Sequence, residues 1–311
     1  MYVLHAPDLP SLVKRSVLFA RHMEPVLAEI EASYRQASPD SRLPEVVEYL
    51  EVCRWPFRQL EYSFALDALL PHAGPGRRCL DAGCGPAPFA HALAAHGAEV
   101  AGCDSDERLM RALAEQRARG IRGAQVNYTA QDLTAMSFPD GCFDAVSCIS
   151  VLEHIPSPDD QRAVHELQRV LKPGGLLVLT VDFRPPSRGD SSGRLKEYAG
   201  RIGRLVRGGD VVGIARAAGR KWRAREAVKR GAARWPRSAN QCFEVGHLEE
   251  DIYPAFRGDE VPSRLPFSRD LRSLTADDAK QFWDLRPGLW ERQGRRPVLP
   301  VGVIIRKTAA S

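Results

Sequence analysis

Residues 77–183 read as an α/β fold, a parallel sheet doubly wound with helices on both faces. Two features carry that reading. Apolar runs of strand length alternate with helix-length segments over short connections, the pattern of right-handed βαβ units. The strand runs are almost continuously apolar, as strands covered on both faces must be. The whole chain has 311 residues and is 44% hydrophobic, enough for one large domain with insertions or one domain with a smaller cap.

Each element has its own signal. Residues 11–36 and 44–70 place apolar side chains three and four apart, such as Val46, Leu50 and Cys53, and read as N-terminal helices. "HAGPG" at 72–76 is a linker. "RRCLDA" (77–82) is the first strand, and "FAHALAAHG" (89–97) is a helix stopped by Gly97. "AEVAGCD" (98–104) is the second strand. "SDERLMRALAEQRARG" (105–120) is a helix with Ser105 as N-cap and Gly120 as its stop. "AQVNYT" (124–129) and "CFDAVSCIS" (142–150) are the third and fourth strands. "SPDDQRAVHELQRVLKPGG" (157–175) is a helix ending at Pro-Gly-Gly, and "LLVLTVDF" (176–183) is the fifth strand. Beyond an Arg-rich stretch, 248–256 and 275–285 read as helices and "PVGVIIRK" (300–307) as a closing strand. The division that results is an N-terminal helical region or lid (1–74), a core (75–183), a helical cap insertion (184–240) and a C-terminal part completing the sheet (241–311).

Composition excludes several classes. The seven cysteines form no Cys-x-x-Cys pair and no Cys/His cluster at zinc spacing, so no metal site is expected. They lie mostly in apolar runs and read as buried thiols of a reducing, cytoplasmic compartment. The first 30 residues lack the charged start and apolar block of a signal peptide, and no apolar run reaches the ~20 residues that span a bilayer. Net charge is +5, yet residues 184–237 hold sixteen Lys or Arg against four acids. The basic character belongs to that one segment.

The first strand runs into "LDAGCGPAPF" (80–89). Ligands of open parallel sheets bind beyond the carboxyl ends of the strands. Gly83 and Gly85 allow a sharp turn and a close approach to the backbone, and the following helix points its N-terminus at the same space. Asp81 ends the first strand. Asp104 ends the second, about 20 residues after the glycines, where a carboxylate accepts hydrogen bonds from ribose hydroxyls. In "QDL" (131–133), Asp132 is placed to meet an adenine amino group and Leu133 to cover the ring. A dinucleotide fingerprint requires a third glycine under the pyrophosphate. Pro86, Ala87 and Pro88 stand there instead, which argues against NAD and for a smaller ligand ending in an amino acid.

"LDAGCGPAPF", "GCDSD", "QDL", "FDAVSCISVLEHI" and "LKPGGLLVLTVDF", in that order, resemble the class I S-adenosylmethionine (SAM)-dependent methyltransferases. Within that class they are most similar to the type 11-like branch acting mostly on small molecules. The resemblance covers residues 77–183. It implies a Rossmann-like sheet of seven strands with the last antiparallel, supplied here by 300–307. It places Asp81, Gly83, Cys84 and Gly85 around the methionine part of SAM, and Asp104 and Ser105 at the ribose. Asp132 and Leu133 would take the adenine, and Ser150 and Val151 would lie near the sulfur.

Methyl transfer requires nucleophile, methyl and sulfur in line, and a hydroxyl nucleophile is helped by a base. His154 in "SVLEHI" is the first candidate; a His that only packs beneath the cofactor is the plain alternative. Asp182, ending the fifth strand, would orient His154 or stand as a solvated acid. His247 in "EVGHLEEDI" would face the pocket from the other side or serve as a capping or surface residue. Glu153 reads as structural, pointing away from His154. "RWPFRQLEYSF" (54–64) is dense in aromatics and reads as a lid carrying Arg58 and Glu61, or as ordinary helix packing.

In "RLKEYAGRIGRLVR" (194–207), Leu195, Tyr198, Ile202, Leu205 and Val206 share one helical face with basic residues opposite. The segment suits a core-packed charged helix, a basic helix on an anionic membrane reaching through 194–235, or a clamp on an anionic substrate. Charge alone would also allow nucleic acid, but no RNA-binding module accompanies it. The function this supports is O-methylation of a small-molecule or glycan-type metabolite, with SAM as methyl donor and S-adenosylhomocysteine as product. The acceptor would be anionic or lipid-linked. N- or C-methylation, a non-catalytic SAM-binding partner and an NAD-dependent oxidoreductase are the alternatives.

Overall fold

In the computed structural model, residues 17–36, 44–86, 88–116, 120, 123–183, 252 and 299–308 are described. The strands are β1 (Arg78–Ala82), β2 (Glu99–Asp104), β3 (Val126–Ala130), β4 (Phe143–Ile149), β5 (Leu171–Phe183) and β6 (Leu299–Arg306). They form one sheet in the order β3-β2-β1-β4-β5-β6. β1 to β5 are parallel, and β6 runs antiparallel to β5, from Leu176 opposite Arg306 to Phe183 opposite Leu299. The expected closing strand is therefore antiparallel, but the expected count of seven is corrected: six strands stand among the described residues.

Every residue of β4 is buried, because both faces of the sheet are covered. Side chains alternate between two apolar layers: Cys79 and Ala145 belong to one, Leu80 and Val146 to the other. α4 (Pro88–Ala94) and α5 (Glu107–Gln116) contribute Phe89, Leu93, Met110 and Leu113 to the first layer. α6 (Asp159–Val170) contributes Val164 and Leu167 to the second. At the opposite end from the site, the Asp144 carboxylate accepts from Arg78 N–H, Arg77 Nη1 and Lys172 Nζ at 2.9, 3.0 and 2.7 Å. Burial would raise its pKa, but those donors hold it down at about 2.

Three boundaries differ from the sequence reading. The helical stretch at 44–70 is two helices, α2 (Pro44–Cys53) and α3 (Pro56–Leu69). Trp55 between them is extended, with φ −70° and ψ 148°, since a residue preceding proline is pushed out of the α region, while Pro56 suits a first helical turn. The helix at 107–116 is capped by Asp106, whose Oδ1 accepts from Leu109 N–H at 3.0 Å, and not by Ser105. β5 starts at Leu171, ahead of Pro-Gly-Gly. Gly174 N–H donates to Lys307 O at 2.9 Å and Lys307 N–H to Gly175 O at 3.0 Å, so the Gly-Gly turn is drawn into the sheet.

The N-terminal segment enters with a π-helical turn (Phe19–Met23) and continues as α1 (Glu24–Gln36). α3 lies against the strands: a Cβ built on Gly302 of β6 would fall 2.5 Å from the Phe64 ring. Tyr62 of α3 stacks on Phe89 of α4 with centroids 5.6 Å apart. The six cysteines among the described residues are buried and free, as read; Cys242 lies outside them. The cap insertion 184–240, the helix at 248–256 apart from Ile252, the helix at 275–285, and His247 also lie outside the described residues.

Candidate active site

The strand order reverses between β1 and β4, which is where open α/β sheets bind ligands. A cavity of about 390 Å³ opens there, within the range of small-molecule and cofactor sites. It is lined by Gly83, Gly85, Asp104, Ser105, Asp132, Leu133, Ser150, Val151 and His154 from the expected set, joined by Tyr49, Arg58, Thr134, Ile149 and Ile155.

The glycine turn has a distinct reason at each glycine. Gly83 has φ +70°, and an added Cβ would lie 2.5 Å from both Val151 methyls. Gly85 has φ +50°, and its Cβ would meet only the Tyr49 ring, at 3.8 Å; this backbone faces the open cavity. The N–H groups of Gly83 and Cys84 both donate to Cys103 O, at 2.8 and 2.9 Å, which folds the turn back on β2. Asp104 tightens it further. Its Oδ2 accepts from Gly85 N–H at 3.1 Å and its Oδ1 from Asp106 N–H at 3.1 Å. Each oxygen keeps a further lone pair for a hydroxyl donor. Asp132 Oδ1 accepts from the N–H and hydroxyl of Thr134, both at 2.8 Å, which fixes the loop after β3.

Two expected residues lie behind the wall. Asp81 is buried and accepts from the Ser147 hydroxyl at 2.8 Å; burial pushes its carboxyl up to about 7 against that bond. Cys84 is buried with Sγ against Gly85 O and Met110 Sδ.

The far wall comes from α3 and the end of β4, with the end of β5 bonded behind it. Ser150 has φ 50°. Its hydroxyl donates to Glu61 Oε1 at 2.6 Å, which also accepts from the Thr180 hydroxyl at 2.8 Å. Glu61 Oε2 accepts from Arg58 Nη1 at 2.8 Å. Asp182 sits among these groups and not at His154: its N–H donates to Glu153 Oε1 at 3.0 Å. Burial, then Glu61, raises the Asp182 carboxyl to about 7, against Arg58. Burial and Asp182 raise Glu153 well above the carboxylate range. Glu153 Oε2 and Asp182 Oδ1 have no hydrogen-bond partner among the described residues, consistent with an acid pair that keeps a proton. His154 is exposed at the rim, its imidazole pKa lowered by partial burial and by Arg58, so it is neutral at pH 7.

Tyr49 went unseen in the sequence because only the fold of α2 over the turn brings it there; its hydroxyl lies 3.0 Å from that of Tyr62. Arg58 and Glu61 carried a signal, two charges inside an aromatic-rich helix. Among the described residues no cluster could hold a metal ion, and no helix is long and apolar enough to cross a membrane.

Residues 80–179 match the family described as "Methyltransferase domain". The chain is similar to the ubiquinone biosynthesis O-methyltransferase of Coxiella burnetii (strain RSA 493 / Nine Mile phase I), 38% identical over 34% of this chain and 43% of that protein. The protein of the same description from Xanthomonas campestris pv. campestris (strain B100) is 34% identical over 42% of this chain and 51% of its own. The chain thus spans about half the length of the curated relatives it matches. Among solved structures, an S-adenosylmethionine dependent methyltransferase from Mesorhizobium loti is 30% identical at a TM-score of 0.34, covering 40% of this chain and 59% of that one.

Proposed function

We propose, for a chain whose residues 80–179 match the family described as "Methyltransferase domain", that these residues form a class I SAM-dependent methyltransferase core, that the cavity between β1 and β4 binds SAM and that the protein transfers its methyl group to an oxygen of a small-molecule acceptor. The observation that carries this is convergence: nine residues expected from separate motifs line one cavity.

The residues fit the cofactor. The bare backbone at Gly85 leaves room that a Cβ would take. Asp104 has lone pairs for two ribose hydroxyls, with Ser105 beside it. Asp132 and Leu133 offer an acceptor and an apolar cover for adenine. Arg58, on the cavity wall, is the cation suited to the methionine carboxylate. Ser150 and Val151 lie toward the sulfur, and Asp81 and Cys84 support the turn from behind. When bound, SAM supplies a methyl carbon activated by its sulfonium.

The protein's part is alignment and proton removal. Gly83, pinned against Val151, and Asp104, bonded to Gly85 N–H, fix the turn before any ligand arrives; such preorganisation is what in-line transfer needs. His154, neutral at pH 7 on the rim, takes the proton of an acceptor hydroxyl as the oxygen attacks. Asp182 and Glu153 act behind the wall and not on the nucleophile. Of residues 1–74, α3 packs on the sheet as an ordinary core helix and carries Arg58 to the cavity wall, while 184–240 would serve as a basic cap over an anionic or lipid-linked acceptor, in the cytoplasm, with 194–235 as the stretch that would meet a membrane surface. The relatives' description as O-methyltransferases of ubiquinone biosynthesis supports oxygen as the target and a greasy acceptor class. The test is incubation with methyl-labelled SAM and hydroxyl-bearing acceptors. Label in a methyl ether is expected. Label on nitrogen or carbon corrects the target atom, and bound SAM with no transfer would point to a non-catalytic binder.

A further inference from the structure

Ser150 stands at the carboxyl end of β4, on the cavity wall, with φ 50°. That backbone conformation is uncommon outside glycine and persists only where the surroundings fix it. Here they do. Ser150 N–H donates to Thr180 O at 2.9 Å, and its hydroxyl donates to Glu61 Oε1 at 2.6 Å. Glu61 is wholly buried, held also by the Thr180 hydroxyl at 2.8 Å and by Arg58 Nη1 at 2.8 Å. A hydroxyl has one hydrogen and two lone pairs. With its hydrogen given to a carboxylate, Ser150 presents to the cavity only an electron-rich oxygen. His154 on the same wall, its pKa lowered by burial and Arg58, adds no positive charge at neutral pH; the cation on this wall is Arg58, whose Nη1 is paired with Glu61 Oε2 at 2.8 Å.

We infer that Ser150, polarised by the Glu61 carboxylate behind it, reads the positive charge on the cofactor's sulfur and so favours SAM over the uncharged S-adenosylhomocysteine. This rests on the cofactor placement proposed above. In a site partly shielded from water, the lone pairs of a polarised hydroxyl act on a cation more than they would in solution, while a thioether gives them little to act on. The device helps the product leave once the charge is gone. Glu61 acts through Ser150, so it is a positioning residue, contributed by a helix that precedes the core.

Titration calorimetry near pH 7.5 with SAM and with S-adenosylhomocysteine tests this on wild type, Ser150→Ala, Glu61→Gln and Thr180→Val. Gln still accepts the Ser150 hydrogen but carries no charge. Thr180→Val removes another partner of Glu61 and the weaker of two acceptors of Ser150 N–H, at 3.2 Å, while the 2.9 Å bond to Thr180 O, the Ser150 hydroxyl and the Glu61 charge remain. Ser150→Ala and Glu61→Gln should bind SAM about tenfold more weakly and the product within about twofold of wild type. Thr180→Val should keep the wild-type ratio. Ser150→Ala carries the test alone if Glu61→Gln does not fold. An equal loss for both ligands, or an unchanged ratio, in Ser150→Ala overturns the inference and leaves the cofactor placement standing. Wild type that binds neither ligand overturns both.

Discussion

Asp104 has two tasks at one carboxylate. It holds Gly85 N–H at 3.1 Å and lines the cavity. Asp104→Ala should therefore weaken SAM binding by tenfold or more, since two hydrogen bonds to a charged group, each about 1.5–3 kcal/mol, are at stake along with the turn itself; calorimetry measures it. His154→Ala should lower turnover about 100-fold with SAM affinity nearly intact. The lowered His154 pKa sets the sign of the pH dependence: the base form is lost only as pH falls below the imidazole's ordinary 6.5, so the rate should stay flat from pH 8 to 7. A rate already falling at pH 7.5 would remove His154 from the role. At this scale the glycines, Asp104, Asp132 and Ser150 were legible because each closes a strand, and strand ends converge in a parallel sheet. The separation of Asp182 from His154 was not. Neighbouring strands bring the two segments near one another, but only packing sends the Asp182 carboxylate toward Glu61 and Arg58.

The helices before the core were the less legible elements. Apolar spacing showed that 44–70 is helical, and Pro56 was in plain view, yet periodicity says nothing of where a helix docks. The dock is set by Phe64 and Gly302, 238 positions apart in the chain. Gly302→Ala should destabilise the fold by about 1–3 kcal/mol through overpacking. Phe64→Ala should cost more alone but relieve that clash, so the double mutant should be more stable than the sum of the two predicts. Additive losses in urea melts would mean that α3 is not seated there. At the other end of the site, Gly83→Ala combines φ +70° with a 2.5 Å clash on Val151 and should lose SAM binding along with about 1–3 kcal/mol of stability.

Across the molecule, two kinds of buried acid pull stability in opposite directions. Asp144, held at about 2 by Arg78 N–H, Lys172 and Arg77 against burial, contributes stability that is present above its ordinary 3.8 and is lost as pH falls toward 2. Asp81, pushed to about 7 by burial, contributes stability that is full below its ordinary 3.8 and is lost as pH rises through 7. At about 1.4 kcal/mol per pKa unit, Asp81 alone should lower the stability of the ligand-free protein by a few kcal/mol between pH 5 and 8. Asp81→Asn should make that limb shallower by Asp81's share in thermal melts, the raised carboxyls of Asp182 and Glu153 still contributing to it. The basic surplus of residues 184–237 belongs to the same scale. If it meets anionic membranes, the protein should sediment with anionic vesicles at low salt and be released at high salt; no sedimentation at low salt removes the membrane from the account.

The central claim is that the turn at 80–89 is shaped for SAM. Calorimetric titration of the protein with SAM, with S-adenosylhomocysteine and with NAD tests it most directly. Micromolar binding of the first two, none of NAD, and a tenfold or greater loss in Asp104→Ala is the predicted result. No binding of SAM or its product, or binding of NAD in their place, would contradict it.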